Sequence, residues 1–262
     1  MKTLKRVLLA VVALVLVLAL VGAGIVASAF WGNAPLPATA DLPGGARLVK
    51  DGMVAAFVLP AGGISVALVD CGDDPAATRL LAELARRGAR REDVKAIFLT
   101  HGHRDHVGGC RQFPGAEVMA LGADVALAAG DAASRGLLAR VMPKDPAKTV
   151  KVARVLRDGE TVQVGTLAVR VFAIPGHTEG SAAYLAGGVL YVGDSATSRK
   201  DGTLAGAPAP FSDDVARNHA SLRALWRRLA GERLAVEAVA AAHSAPQQAG
   251  PLEAFARGSA SP

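Results

Sequence analysis

The apolar positions divide the chain into two unlike parts. Residues 7–40 contain no charge, and residues 7–30 are almost continuously apolar, with none of the polar punctuation that a surface helix of a globular domain shows. Such a run is long enough for a bilayer core, which needs roughly 20 residues. The preceding Lys2, Lys5 and Arg6 would stay cytoplasmic by the positive-inside rule, so that everything downstream faces the periplasm or exterior. Ala27-Ser28-Ala29 also fits the cleavage site of a secretory signal, which would release the protein near Ala29. The apolar stretch exceeds the usual signal core of about 7–15 residues, which favours an uncleaved anchor over residues 1–31. Residues 32–46, rich in Pro, Ala and Gly, read as a linker.

Beyond the linker the apolar residues fall into short runs. Residues 94–99, 167–173, 189–193 and 234–242 read as buried strands. Asp158-Gly159 and Gly187-Gly188 each separate two β-prone runs and predict hairpin turns. Helical spacing appears twice. Ala77, Leu80, Leu81 and Leu84 follow Asp74-Pro75 and stop at Gly88. Leu222, Leu225, Trp226 and Leu229 follow Asp213-Asp214, with Arg223, Arg227 and Arg228 on a face expected to be solvated. About 215 residues suffice for one domain, expected over residues 47–250 with a tail at 251–262, and the mixture of strands and helices places it in the α+β class. No internal repeat is visible.

The strands differ from ordinary core strands at their carboxyl ends. After residues 94–99 comes Thr100-His101-Gly102-His103-Arg104-Asp105-His106-Val107-Gly108-Gly109. If this segment is extended, His101 and His103 point the same way and can clasp one ion, while Asp105 and His106 diverge and can serve a second. Gly102, Gly108 and Gly109 are expected to let the backbone turn tightly around the cluster. The strand at 167–173 leads to Pro175-Gly176-His177, that at 189–193 to Asp194, and that at 234–242 to His243. Alone, a buried histidine is more often a hydrogen-bonded core residue than a ligand, and Asp194 alone is a turn former after Gly193. Together, three further strand ends each supply one metal-compatible side chain. Imidazole and carboxylate without thiolate suit Zn²⁺, with iron or manganese as other occupants. His219 lies in the second helix and is given no role.

These residues carry a resemblance to the metallo-β-lactamase superfamily. His101, His103, Asp105 and His106 match its H-x-H-x-D-H signature, residues 176–181 its G-H-T-x-G-S segment, Gly193-Asp194 its G-D segment, and His243 its last histidine. The resemblance covers about residues 53–246 and implies a four-layer αββα sandwich. It implies that His101, His103 and His177 hold one zinc ion and Asp105, His106 and His243 a second, with Asp194 bridging the two and Asp70 supporting a ligating histidine from outside. It further implies a hydrolase attacking a small ester, lactone, thioester or lactam, with Asp105 orienting the nucleophile or moving a proton. Two other readings belong to the same fold: a mononuclear iron persulfide dioxygenase, against which the full set of second-site ligands argues, and a non-catalytic binding module. The chain stops soon after His243 and has no counterpart of the glutathione-holding helical domain of glyoxalase II, so a small substrate is expected.

Charge adds one expectation. The net charge of +6 is scattered, which argues against a nucleic-acid partner. Residues 135–151 contain Arg135, Arg140, Lys144, Lys148 and Lys151; as a wall over the site they would favour an anionic substrate. Cys71 and Cys110 are the only cysteines, and the sequence leaves open whether they form a disulfide or remain free thiols.

Overall fold

A computed structural model describes residues 2–143 and 145–258. The chain divides into two units, Met1–Trp31 and Gly32–Pro262. The first is one helix, α1 (Lys2–Phe30), roughly 43 Å long at 1.5 Å per residue. Its stretch Lys5–Phe30 is long and apolar enough to cross a membrane, and none of it is buried.

The second unit is built on two sheets. One has seven strands in sequential order: β1 (Thr39–Asp41), β2 (Arg47–Asp51), β3 (Val54–Pro60), β4 (Val66–Val69), β5 (Val94–Phe98), β6 (Glu117–Leu121) and β7 (Arg154–Leu156). The other comprises β8 (Thr161–Val164), β9 (Leu167–Ala173), β10 (Ala182–Ala186), β11 (Val189–Gly193), and, after the small β12 (Ala196–Ser198) and β13 (Leu204–Gly206) pair, β14 (Ala238–Ala241) and β15 (Gln247–Gln248). Side-chain alternation sorts these residues into layers. Phe57, Leu59, Val69, Val169, Val171, Tyr184 and Tyr191 meet between the sheets. Val58, Leu68 and Ile97 point outward beneath α2 (Thr78–Arg86) and α3 (Arg104–Val107). After the one-turn α4 (Val125–Ala128), α5 (Val215–Gly231) and α6 (Gly250–Arg257) lay Leu222, Leu225, Leu229 and Leu252 on Phe172, Leu190 and Val192. The result is the expected αββα sandwich.

The structure corrects several local expectations. Residues 32–46 are not a linker: β1 pairs with β2, Leu42 is buried, and Leu36 packs on the inter-sheet core. Pro and Gly there shape turns at the start of a sheet. Asp158-Gly159 is not a hairpin, because β7 and β8 lie in different sheets; the true hairpin of that region joins β8 to β9. Residues 251–257 are not a tail but most of α6, with Leu252 fully buried; 259–262 lie outside the described residues. Arg228 is not merely solvated, since it pairs with Asp158 and Glu232 and lies over the Phe172 ring. The strand expected at 234–242 is confined to Ala238–Ala241.

Candidate metal centre

Strand direction determines where the polar residues gather. β4, β5 and β6 run parallel, so Asp70 and residues 99–101 emerge at one end of the first sheet. β11 and β14 are also parallel, which sends Asp194 and His243 out together. Two backbone hydrogen bonds join the sheets at this edge: Ala55 N–H to Ala242 O and Ala182 N–H to Thr100 O, both 2.8 Å. Gly193 has φ +53, and a Cβ there would lie 2.4 Å from Thr100 Oγ1. A side chain at this position would push the two sheet ends apart.

One half of the site is made of three histidines. His101 Nε2 lies 3.0 Å from His103 Nδ1 and 3.2 Å from His177 Nε2, and the last two are 3.1 Å apart. The outward nitrogens are occupied by hydroxyls. Thr100 Oγ1 donates to Asp70, so it accepts from His101 Nδ1–H at 3.1 Å. Ser212 Oγ donates to Pro208 O and accepts from His177 Nδ1–H at 3.0 Å. His103 Nε2 meets Ser134 Oγ at 3.0 Å. Assigned from these partners, the tautomers aim three lone pairs at one point. Burial, followed by repulsion from the neighbouring imidazoles, holds His101 well below the ordinary histidine range. Burial takes His177 down to about 3.

The other half contains carboxylates. His106 Nδ1 donates to Asp70 Oδ2 at 2.8 Å, and His243 Nδ1 donates to Met53 O at 2.7 Å. Their Nε2 atoms both face Asp194, each at 3.2 Å, and Asp105 Oδ2 at 3.8 and 3.4 Å. Burial pulls His243 down, but Asp194 and Asp105 outweigh it and push the imidazole up to about 10. His106 is likewise raised, by Asp194, Asp70 and Asp105 against burial. His106 Nε2 and Asp194 Oδ1 are buried, and neither has a further hydrogen-bond partner. Asp194 Oδ2 also reaches to 3.6 Å from His177 Nε2, between the two halves.

Every side chain singled out in the sequence therefore stands at this edge: His101, His103 and His177 form one group, Asp105, His106 and His243 another, and Asp194 lies with His101 and His106. Asp70 sits behind His106 with φ +57, an uncommon conformation for a residue with a Cβ. Three acceptor contacts, from Thr100 N–H, Thr100 O–H and His106, hold it there. The expectation for Gly102, Gly108 and Gly109 changes. None has positive φ; a Cβ on them would instead lie 2.7 Å from Ala128 N, 2.6 Å from Asp73 O and 2.6 Å from Cys71 O. They are needed for close approach, not for turning. α3 also starts before the last two, at Arg104.

The sequence reading missed Thr100, Ser134, Ser212 and Asp124. A hydroxyl in a loop carries no signal of its own. Asp124 had one, a carboxylate after strand β6. Cys71 and Cys110 are joined in a disulfide directly behind the Asp70 turn, where Cys71 N–H also donates to His106 O at 2.7 Å. Ser134, which meets His103, immediately precedes segment 135–151, and Pro143 O within the segment accepts from Arg104, the neighbour of His103. Within the segment Lys148 is paired with Asp73; Lys144 lies outside the described residues. His219 stays apart, its ring edge-on to Phe255 at 5.2 Å.

The geometry agrees with comparisons to known proteins. The metallo-β-lactamase superfamily profile matches residues 49–239. A hydroxyacylglutathione hydrolase of Gloeobacter violaceus is 40% identical over 129 residues, 47% of this chain and 42% of that protein. Another, of Anaeromyxobacter dehalogenans, is 41% identical over 140 residues, 53% of this chain and 44% of that protein. The chain thus matches less than half the length of either relative. The solved structure of the Rm3 metallo-β-lactamase superposes with a TM-score of 0.61 at 27% identity, covering 88% of this chain and 87% of that one. With its αββα layers and a histidine and aspartate cluster at one sheet edge, the chain belongs to the metallo-β-lactamase superfamily of metallo-hydrolases.

Proposed function

We propose that this protein is a binuclear zinc hydrolase that cleaves a small ester, lactone, thioester or lactam, with His101, His103 and His177 holding one ion, Asp105, His106 and His243 the other, and Asp194 between them. The observation that carries this reading is that all five imidazoles have their outward nitrogens engaged by protein groups and their inward nitrogens converging. Outward partners that set tautomer and ring orientation are a regular feature of metal-ligating histidines. Three lone pairs about 3 Å apart repel one another, and a cation between them resolves the conflict. The buried Asp194 Oδ1 and His106 Nε2 lack further hydrogen-bond partners, which fits the same explanation. The donor set of nitrogen and oxygen without sulfur suits zinc.

Two bound divalent ions would supply a water of lowered pKa and polarise the scissile carbonyl. The chain's residues arrange the rest. Asp105 is the most open of the carboxylates, its side chain 33% exposed against 7% for Asp194. It is therefore the group placed to meet the entering substrate and to take or return a proton. Asp70, through its bond to His106, fixes one proton on Nδ1 and aims Nε2 inward. The names of the relatives favour a thioester, and the superposed lactamase keeps a lactam in the comparison. Exposed Arg135 and Arg140 at the bordering segment favour an anionic substrate, by attraction that salt weakens.

The apolar α1 supports export, as an anchor or as a cleaved leader, and the Cys71–Cys110 disulfide agrees with an oxidising compartment. Metal analysis together with turnover of matched neutral and anionic thioesters, lactones, esters and β-lactams tests the proposal. Two zinc ions per chain with carbonyl hydrolysis is the expected result. One iron with persulfide oxidation, or cleavage of phosphodiesters alone, overturns it.

A further inference from the structure

The two loops that carry the three-histidine half come from different sheets, yet one buried carboxylate fastens them together. Asp124 follows β6 in the turn Gly122–Asp124 and is 2% exposed. Its Oδ2 accepts the Gly102 N–H at 2.7 Å and the Thr178 O–H at 2.8 Å, and its Oδ1 accepts the Gly180 N–H at 2.8 Å. Gly102 stands between His101 and His103. Thr178 and Gly180 follow His177, and Thr178 N–H is itself bonded to Ser181 Oγ at 2.9 Å. The approach leaves no spare room, because a Cβ on Gly180 would lie 2.5 Å from Asp124 N.

Burying a carboxylate is unfavourable unless its oxygens are well bonded. Among the described residues no Lys or Arg pairs with Asp124, so three donors from the two ligand loops do the compensating. A residue serving only to close a surface loop would not need to draw its donors from both. We infer that Asp124 is a positioning residue: it sets the distance between His101 and His103 on one loop and His177 on the other, and so tunes the affinity of that half for its ion. The inference rests on the reading that these three histidines hold an ion.

Asparagine at this position has nearly the same shape but only one acceptor oxygen. Whichever way the amide turns, its NH₂ confronts the N–H of Gly102 or of Gly180. Metal-free full-length protein is titrated with zinc against a chromophoric chelator, alongside the thermal midpoint of each metal-free variant and imidazole NMR to show which histidines respond. Asp124→Asn should weaken one ion, the one sensed by His101, His103 and His177, by about 10–100-fold, the usual effect of losing an outer partner of a ligand. The other ion should stay within about twofold. Thr178→Val, which removes one of the three donors, should weaken the same ion less, and Thr178→Ser should restore it.

Unchanged affinity for both ions in Asp124→Asn, or equal weakening of both, overturns the inference and leaves the metal reading intact. If Asp124→Asn does not fold, equal binding by Thr178→Val and Thr178→Ser overturns it in the same way. Wild-type protein that binds no zinc with its three histidines defeats the metal reading, and this inference falls with it.

Discussion

The two halves of the site use the same residue type in opposite electrostatic states. In the three-histidine half, burial and crowding among imidazoles favour the neutral ring, with His177 down to about 3. In the carboxylate half, Asp194 and Asp105 overcome burial and hold His243 protonated up to about 10. Less than 4 Å separates them at Asp194, which lies 3.6 Å from His177 Nε2 and 3.2 Å from His243 Nε2. All these rings are buried, so it is their neighbours that make the two halves differ. On the proposed reading, the first half can take its ion without losing a proton. The second already holds positive charge, as protons, and must exchange it.

Removing a ligand from the neutral half should have the largest effect. His177→Ala is expected to leave that half without its ion and to lower hydrolysis on the order of a thousandfold or more, the equivalent of several kcal/mol of lost charge stabilisation. Zinc content and turnover of the purified variant check this, and a fully active variant would remove His177 from the assignment.

Asp70→Asn probes the other half with a smaller change. The amide still fills the turn, but it no longer offers acceptors to all of Thr100 N–H, Thr100 O–H and His106. Zinc affinity of the carboxylate half should fall about 10–100-fold, measured by chelator competition, with the three-histidine half weakened less, through Thr100 and His101.

The pH dependence of metal binding sharpens the contrast further. An imidazole must be neutral to bind an ion. His177, already neutral down to about 3, gives a half whose affinity is flat across neutral pH. His243 must shed a proton held up to about 10, and His106 is raised as well, so affinity of the carboxylate half should rise on the order of tenfold or more per pH unit on the approach to that value. Stability of the metal-free fold is linked to the same two shifts, with the opposite sign for His243. The raised His243 stabilises below its unfolded value of 6.5, and that contribution is lost as pH rises through about 10. The depressed His177 contributes above 6.5, and its contribution is lost as pH falls toward 3. Zinc titrations and thermal melts over a pH series measure both.

The smallest effect is expected at His219, outside both halves. Its ring packs edge-on against Phe255, so His219→Ala should cost about 1 kcal/mol of stability and leave zinc content unchanged. Loss of either ion would show that the site extends to α5.

The candidate ligands were legible in the order of residues alone, and the layering through the family resemblance those residues carry. His101, His103, Asp105 and His106 are nearly contiguous, and His177, Asp194 and His243 each end an apolar run, so a local pattern sufficed to single them out. The same applies to α2, α5 and the Gly187-Gly188 hairpin, whose apolar spacing is a property of consecutive residues. Strand pairing, in contrast, came from the packed fold. Asp158-Gly159 looks like a hairpin turn because a turn sequence does not record that β7 and β8 enter different sheets. Residues 32–46 and 251–257 looked like linker and tail because Pro, Gly and Ala describe local flexibility, whereas Leu36, Leu42 and Leu252 are ordered by partners far along the chain. The partners of the ligands obey the same rule. Ser212, Ser134, Met53 and Asp124 reach their histidines or loops across 22 to 190 residues of sequence. A hydrogen bond between residues so distant has no trace in local spacing, and only the packing of the two sheets brings its ends together.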